Sequence, residues 1–386
     1  LNYRGQIGEI ILDPDTFVLK LDHAIADKHR MGGSINTTDI PRLLIRSPLP
    51  PPLPANASDQ IIKGYTARLT YDYVIRPTLL NQLTLGYNLF DHNNLTVTKR
   101  VYPSKTGSWP EELGLKGVLG TAFPVVTFTG GYAGFASTTG TSDDEQIYVL
   151  KDGVSWFKGK HSFKLGAEVR VTRSNLRSTG NMSGSFAFSD LGTALPSQVA
   201  NTGNALASFL LGDVQSGSLA FPSIREPRRP YLGFYLQDDL KMTSRLTLNL
   251  GFRFEFIKAP VDRRDRASTI DLATPNPGAG NLPGAMIFAG SGSGRTGRRS
   301  FVDADLSGYG PRVGLAYQLT PKTVVRTGYG IYYSNNYLEL NNAGFNITGS
   351  FQSLDNGVTP AFRLRDGFPQ DFRQQPAINP TFLNRN

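Results

Sequence analysis

Residues Arg245 to Phe256 read RLTLNLGFRFEF. Every second residue is apolar: Leu246, Leu248, Leu250, Phe252, Phe254 and Phe256. Between them stand Thr247, Asn249, Gly251, Arg253 and Glu255. Successive side chains of an extended chain point to opposite faces, so this is a strand with one greasy face and one polar face. The fold turns on what covers the greasy face: the second sheet of a soluble sandwich, or lipid.

The same period recurs along the chain. Phe163, Leu165, Ala167, Val169 and Val171 alternate with Lys164, Gly166, Glu168 and Arg170, and Tyr309 to Leu319 alternate with Gly310, Arg312, Gly314, Ala316 and Gln318. Further stretches lie around Tyr65–Tyr73, Leu79–Leu89 (with Asn81 as a polar exception) and Val325–Tyr333. They predict five hairpins, over 16–39, 61–92, 145–174, 230–257 and 308–335. The tips fall at Asp27-Lys28, Arg76-Pro77, Lys158-Gly159-Lys160, Thr243-Ser244 and Pro321-Lys322, which are turn-forming residues. The long connections 40–60, 93–144, 175–229 and 258–307 are rich in Gly, Pro, Ser and Asn, as in SPLPPPLPANAS (47–58).

Two features favour lipid. The alternating runs last about 10–13 residues, against about 5–6 for an ordinary strand and about 9–11 for a tilted membrane strand. Short turns also alternate strictly with long loops. Loops of this length are uncommon in compact soluble domains but normal on the outer side of an outer-membrane barrel, where short turns face the periplasm. Bulk properties do not oppose this. Mean hydropathy is −0.25, and no run approaches the ~18 apolar residues of a membrane helix, but neither measure registers half-apolar barrel strands. Aromatics near strand ends (Tyr231, Phe254, Phe256, Tyr329, Tyr333) fit an interfacial girdle, though β propensity explains each singly. The expected fold is therefore all-β, an antiparallel transmembrane β-barrel with long extracellular loops, of which about ten strands are present.

The order of several motifs adds a family resemblance. YLGFYLQDDLKMTSRLTLNLGFRFEF (231–256) resembles the hairpin of TonB-dependent receptors, and is most similar to the large Oar-like group, whose members begin with a carboxypeptidase-regulatory-like domain and are numerous in Acidobacteria. VLKLDHAIADKHRM (18–31), ELGLKGV (112–118), FPVVTFTGGYAGF (123–135), GKHSFKLGAEVR (159–170), GNALASFLLGD (203–213), NPGAGNLPGAMIFAG (276–290) and YGPRVGLAYQLTPKTVVRTGYGIYY (309–333) follow the group's order. The resemblance implies an energised transporter of the bacterial outer membrane, with a plugged barrel of about 22 strands driven through TonB. It imports a nutrient ligand, for which oligosaccharides and peptides are the guesses. The implied partners are outer-membrane lipid and lipopolysaccharide, the plug domain of the same protein, and the TonB complex reached through an N-terminal part absent here. The chain opens at Leu1 without a signal peptide and closes on FLNRN (382–386), which reads as loop. Residues 1–386 are thus expected to be the N-terminal portion of a receptor barrel, without plug or regulatory domain. Alone they would form an open, curved sheet with exposed edges, prone to aggregation.

Chemistry-bearing residues are sparse. With no cysteine, disulfides and Cys-based metal sites are excluded. The net charge of +9 is spread along the chain and suggests no nucleic-acid partner. His23 and His29 are candidates for a metal pair or plain polar barrel residues. Asp143, Asp144 and Glu145 are oxygen ligands that could suit Ca²⁺, or a solvated loop edge. Asp238-Asp239 invites a polar contact at the periplasmic rim, and SGSGRTG (291–297) reads as a flexible loop that lacks the lysine of a phosphate-binding loop. No enzyme activity and no cofactor are expected. On the alternation, Lys164, Glu168, Arg170, Arg253, Glu255, Arg312 and Arg326 point into the lumen, where they either line a ligand route and meet a plug or simply solvate the wall. Arg228-Arg229 and Arg298-Arg299 fall in external loops, where they could meet lipopolysaccharide or an anionic ligand. A passive porin-like channel and a surface adhesion or secretion-linked barrel are the alternative readings.

Overall fold

The computed structural model describes residues 10–45, 57–96, 108–134, 140–199, 201–333, 340–345, 348–370, 378 and 380. Most of SPLPPPLPANAS and all of FLNRN lie outside the described residues. Ten long strands run in chain order through one thirteen-stranded antiparallel sheet, whose other three strands, Ile10–Leu12, Ser223–Arg225 and Val261–Asp262, are short: β1 (Asp15–Ala26), β2 (His29–Ile45), β3 (Ala57–Arg76), β4 (Leu79–Thr96), β5 (Thr141–Lys158), β6 (His161–Ser178), β7 (Pro227–Lys241), β8 (Leu246–Ile257), β9 (Asp305–Thr320) and β10 (Thr323–Gly330). All five expected hairpins are present. The second turn falls at Pro77-Thr78, one residue later than expected, and Gly159 supplies the left-handed φ of +62° that the third turn needs. The last strand ends at Gly330, short of the expected 335. Ile331 still donates to the Pro311 carbonyl (3.0 Å), and residues 334–335 lie outside the described residues.

Direct cross-strand partners show how the register carries the alternation from strand to strand. One row runs Gly33, Leu69, Leu85, Leu150, Val169, Leu232, Phe256 across seven strands. A second joins Leu165, Leu236, Phe252 and Pro311. These apolar side chains stay uncovered: Leu150 is 45% exposed, Leu236 52% and Phe252 44%. The face is rimmed by rings. Tyr65, Tyr87 and Tyr148 stack along its loop side at centroid distances of 5.9 and 5.1 Å. Phe254 and Tyr309 continue them at 5.2 Å. Tyr73 and Trp156 stand near its turn side. Tyr65 and Tyr73 on β3, and Tyr148 and Trp156 on β5, share an eight-residue separation. That is about 27 Å along a strand, or roughly 20 Å of depth at the usual tilt, close to the apolar band of a membrane barrel.

Three pairs of polar side chains interrupt this outer face. Asn81 donates to Asp152 (2.7 Å), His29 meets the Tyr71 hydroxyl (2.6 Å) and stacks on Tyr73, and His161 meets Asp238 (2.7 Å) beside Phe163 and Trp156. The expected rim contact of Asp238 is thus with His161, while Asp239 on the opposite face accepts from Asn249 (2.5 Å).

The buried hydrophobic cluster lies in the loops, not in the sheet. Val126, Phe186, Phe188, Val214, Leu219 and Phe368 are almost fully buried together, with Phe128, Phe209, Phe351 and Phe362 against them. Two long connections, 93–144 and 175–229, and the segment that follows β10 supply them. Val125–Phe128, Ser185–Phe188, Ser216–Ala220 and Thr348–Gln352 form a separate four-stranded sheet. The motif GNALASFLLGD is a helix over Ala205–Leu211. The Asn204 side chain caps it by accepting from the N–H groups of Leu206 (2.9 Å) and Ala207 (3.2 Å), and Gly212 ends it with a left-handed φ of +75°. SGSGRTG is likewise no loose tether. Arg295 donates to the carbonyls of Asp265 and Ala289 and packs on Phe345, while Thr296 N–H reaches the Phe288 carbonyl.

The sheet is open. Among the described residues, β10 has one neighbouring strand, β9, and β1 has one, β2. Every residue of β1 is exposed.

Two substitutions one position apart test the two-faced wall. Leu236→Arg should cost about 2–4 kcal/mol in a bilayer, whereas Gln237→Arg should cost under about 1 kcal/mol, both read by reversible denaturant unfolding from vesicles. In the loop unit, Phe186→Ala should cost about 3–5 kcal/mol locally. It should speed proteolysis within 181–220 while the far-ultraviolet β signal is retained.

Candidate functional site

The face opposite the apolar one is polar. β6, β7 and β8 place Glu168, Arg170, Arg253 and Glu255 on it through three partner rows. Glu168 and Glu255 both flank Gly233, Arg170 flanks Tyr231, and Arg253 flanks Tyr235. Their side chains are largely covered by one another: Glu255 is 12% exposed and Arg253 27%.

Tyr231 is the centre of this group. Its hydroxyl donates to Glu255 Oε1 (2.7 Å) and accepts from an Arg253 terminal nitrogen (2.7 Å). Arg253 Nε donates to the same Glu255 oxygen (2.8 Å), closing a three-membered ring of bonds. The Arg170 guanidinium lies over the Tyr231 ring (4.6 Å) and 3.9 Å from Glu168. Charge-assisted bonds of this kind outweigh neutral ones, and the cation over the ring adds about 0.5–1 kcal/mol or more as water is excluded. Glycine makes the arrangement possible. A Cβ on Gly233 would meet the Tyr231 hydroxyl at 2.7 Å, and one on Gly166 would meet Tyr235 at 2.6 Å. Both tyrosines lie flat along the wall where the side chain is missing.

Of the other lumen candidates, Arg312 sits over the Tyr332 ring (4.4 Å), opposite Gly251 and Gly330. Lys164 faces Gln237, and Arg326 faces Ala316; both stand apart from the Tyr231 group, toward the turns. All seven predicted residues share the polar face. Tyr231 departs from the girdle expectation: it belongs to the polar wall, between Arg170 and Ile257, and not to the lipid side. Leu232, Phe234 and Leu236 occupy the outer face, so the odd-numbered Tyr231 and Tyr235 must face inward, a signal present in the alternation of β7 itself.

The remaining candidates do not converge. Asp143, Asp144 and Glu145 are consecutive strand residues, so alternation sends Asp144 to one face and its neighbours to the other. Asp144 accepts from Asn175 (2.9 Å) and Glu145 from Ser174 (3.1 Å). His29 is engaged by Tyr71. Among the described residues, no three His, Asp or Glu side chains are grouped to hold a metal ion, and no helix is long and apolar enough to cross a membrane.

The hydroxyl of Tyr231 can be removed without loss of volume. Tyr231→Phe should destabilise by about 1–2 kcal/mol. Glu255→Gln should cost about as much, and the double variant less than the sum, because the two share bonds. Urea midpoints of the vesicle-embedded protein measure this.

A family model described as an outer membrane beta barrel domain matches residues 2–385. No curated protein sequence matches the chain. Among solved structures the chain is similar to the copper transporter OprC, with a TM-score of 0.46 and 9% identity over 85% of this chain and 38% of that one. It is similar to the ferric-catecholate import receptor Fiu of Escherichia coli K12, with a TM-score of 0.43 and 12% identity over 92% of this chain and 51% of that one. For the outer membrane transporter YddB of Escherichia coli the TM-score is 0.42 and the identity 12%, over 83% of this chain and 40% of that one. The chain therefore spans between 38% and 51% of the length of these solved chains. The family rests on the sequence model, and the two-faced, ring-bordered antiparallel sheet is the physical form of that match: the chain belongs to the outer membrane beta barrel domain family and is a protein of the bacterial outer membrane.

Proposed function

We propose that residues 1–386 are the N-terminal portion of the barrel of a TonB-dependent receptor of the Oar-like group. In the whole protein, further strands would close the sheet, and a plug domain would sit against the polar wall. A nutrient ligand such as an oligosaccharide or a peptide, captured by the external loops, would enter when TonB displaces the plug.

The observation that supports this reading best is the open sheet. Eight strands already suffice to close a barrel whose interior is filled by its own side chains. Here ten strands remain open at β1 and β10, and unpaired backbone groups cannot face lipid. A complete barrel is then wider, of the class that holds either an open channel or a plugged lumen, and the receptor resemblance favours the plug. The Arg170–Tyr231–Arg253–Glu255 group suits a plug-facing surface, because its polar atoms are held in fixed positions by one another. The ordered hairpin motifs from 18 to 333 add the resemblance to the receptor group.

Uptake of labelled oligosaccharide and peptide pools by cells carrying the full-length protein tests this, with TonB present and deleted. Uptake should fall to background without TonB. Undiminished uptake would assign a passive channel, and surface binding without uptake an adhesin. Arg253→Gln with Glu255→Gln should leave surface binding intact and slow uptake several-fold.

A further inference from the structure

We infer that the five short turns form a basic collar that docks on the carboxylate-bearing glycan–peptide polymer of the cell wall beneath the outer membrane. The inference rests on the family assignment, through which the short turns face the periplasm, and not on the transport reading.

The charge is concentrated at the turns. Segments 26–29, 75–78, 157–161, 241–246 and 320–323 hold seven Lys and Arg and one carboxylate, Asp27. That is a net of six positive charges out of the nine carried by the whole chain. Turn geometry does not ask for them, since the residues it favours are Gly, Pro, Asn, Asp and Ser. Lys28 stands in the first turn, Arg76 in the second, Lys160 in the third, Lys241 and Arg245 in the fourth and Lys322 in the fifth. All six are exposed. Among the described residues, none of the six forms a salt bridge.

The sheet turns these residues into an array. The hairpins lie side by side in chain order, so neighbouring tips are two strands, or about 10 Å, apart. The tips are held in place by neutral groups. Thr243 Oγ1 accepts from the N–H groups of Arg245 (3.2 Å) and Leu246 (3.0 Å). Lys160 Nζ donates to the Met242 carbonyl (3.2 Å), which ties the third turn to the fourth.

Depth separates the collar from the lipid. Arg76 lies three residues beyond Tyr73, Lys160 four beyond Trp156 and Lys322 five beyond Tyr317. Four residues span about 13 Å along a strand, or roughly 10 Å of depth at the usual tilt. The headgroup layer on one side is only about 5–7 Å thick. These tips therefore reach periplasmic water. Lys158, over the Trp156 ring at 5.1 Å, stays at the headgroup level instead.

The residue types select the partner. Four of the six are Lys, a compact point charge without the planar fork that matches phosphate. Lys is also depleted where folded proteins meet. A line of exposed point charges at regular spacing fits an extended polyanion with repeated carboxylates, which the stem peptides of the cell-wall polymer supply.

The test is co-sedimentation of the full-length protein, in detergent micelles at low salt, with insoluble purified peptidoglycan. The same polymer with its carboxylates amidated, and vesicles containing phosphatidylglycerol, are the comparisons. Native polymer should retain the protein and amidated polymer should not. About 1 M salt, where screening acts within about 3 Å, should release it. The triple variant Arg76→Gln, Arg245→Gln, Lys322→Gln should need about tenfold more polymer for half-retention. It keeps Lys160 and its bond between turns. Arg76→Gln alone, confined to one turn, should show part of the shift, and Lys158→Gln and Arg298→Gln should show none. Equal retention by the amidated polymer, or an unshifted titration in both Arg76 variants, overturns the inference. A triple variant that loses vesicle binding but keeps polymer binding assigns the collar to lipid and overturns it as well.

Discussion

Every amide of a membrane-spanning strand needs a partner, because hydrocarbon offers none. That requirement fixes most of this molecule. Each strand from β2 to β9 is hydrogen-bonded on both sides, in an unbroken antiparallel order that follows the chain. With pairing obligatory, the only freedom left is register, and register is set by side chains of period two. A slip of one residue would turn Arg253 and Glu255 into the bilayer and Leu250 and Phe252 into the lumen. The long alternating runs make that slip costly along the whole wall.

The same constraint reverses the usual distribution of hydrophobic residues. In a soluble domain the strands would bury their apolar face. Here Leu150, Leu236 and Phe252 stay uncovered because lipid is their environment, while the close-packed apolar cluster forms where water is the environment, in the loop unit built on Phe186, Phe188 and Phe368. Polar residues on the lipid side include the hydrogen-bonded pairs Asn81 with Asp152 and His161 with Asp238. On the polar side, glycines give tyrosines room to lie flat, and the hydroxyls then organise the charges around them. The wall is thus a two-sided surface with no interior of its own.

How far each part could be read from the sequence follows from the range of the interactions behind it. The hairpins are local: strand period and turn chemistry lie within some thirty residues of each other, so their tips emerge within a residue or so. The inward set Glu168, Arg170, Arg253, Glu255, Arg312 and Arg326 follows from parity alone. Tyr231 follows from the same parity, although its position near a strand end gives it the look of a girdle residue. The loops were not legible. Val125–Phe128 and Ser185–Phe188 come from two different connections and Thr348–Gln352 from the segment after β10, and no local period announces that they will share one sheet. Gly-rich composition likewise hid the fixed turn that Arg295 secures.

The sequence by itself determined the strands, their faces and the side of the sheet that meets lipid, because these depend on nearest neighbours and on a period of two. Tertiary structure decided what the loop-side charges meet. Arg228 and Arg298 begin as equivalent members of two basic doublets. The register sets Arg228 against the carbonyls of Ser174 and Pro227 and the side chain of Asn175, and the fold of the 290s turn brings Arg298 to Asp303. The physical reason is that a charge is defined by what stands within a few ångströms of it, and those neighbours lie dozens of residues away for Arg228 and in a turn whose shape depends on distant Asp265 and Phe345 for Arg298.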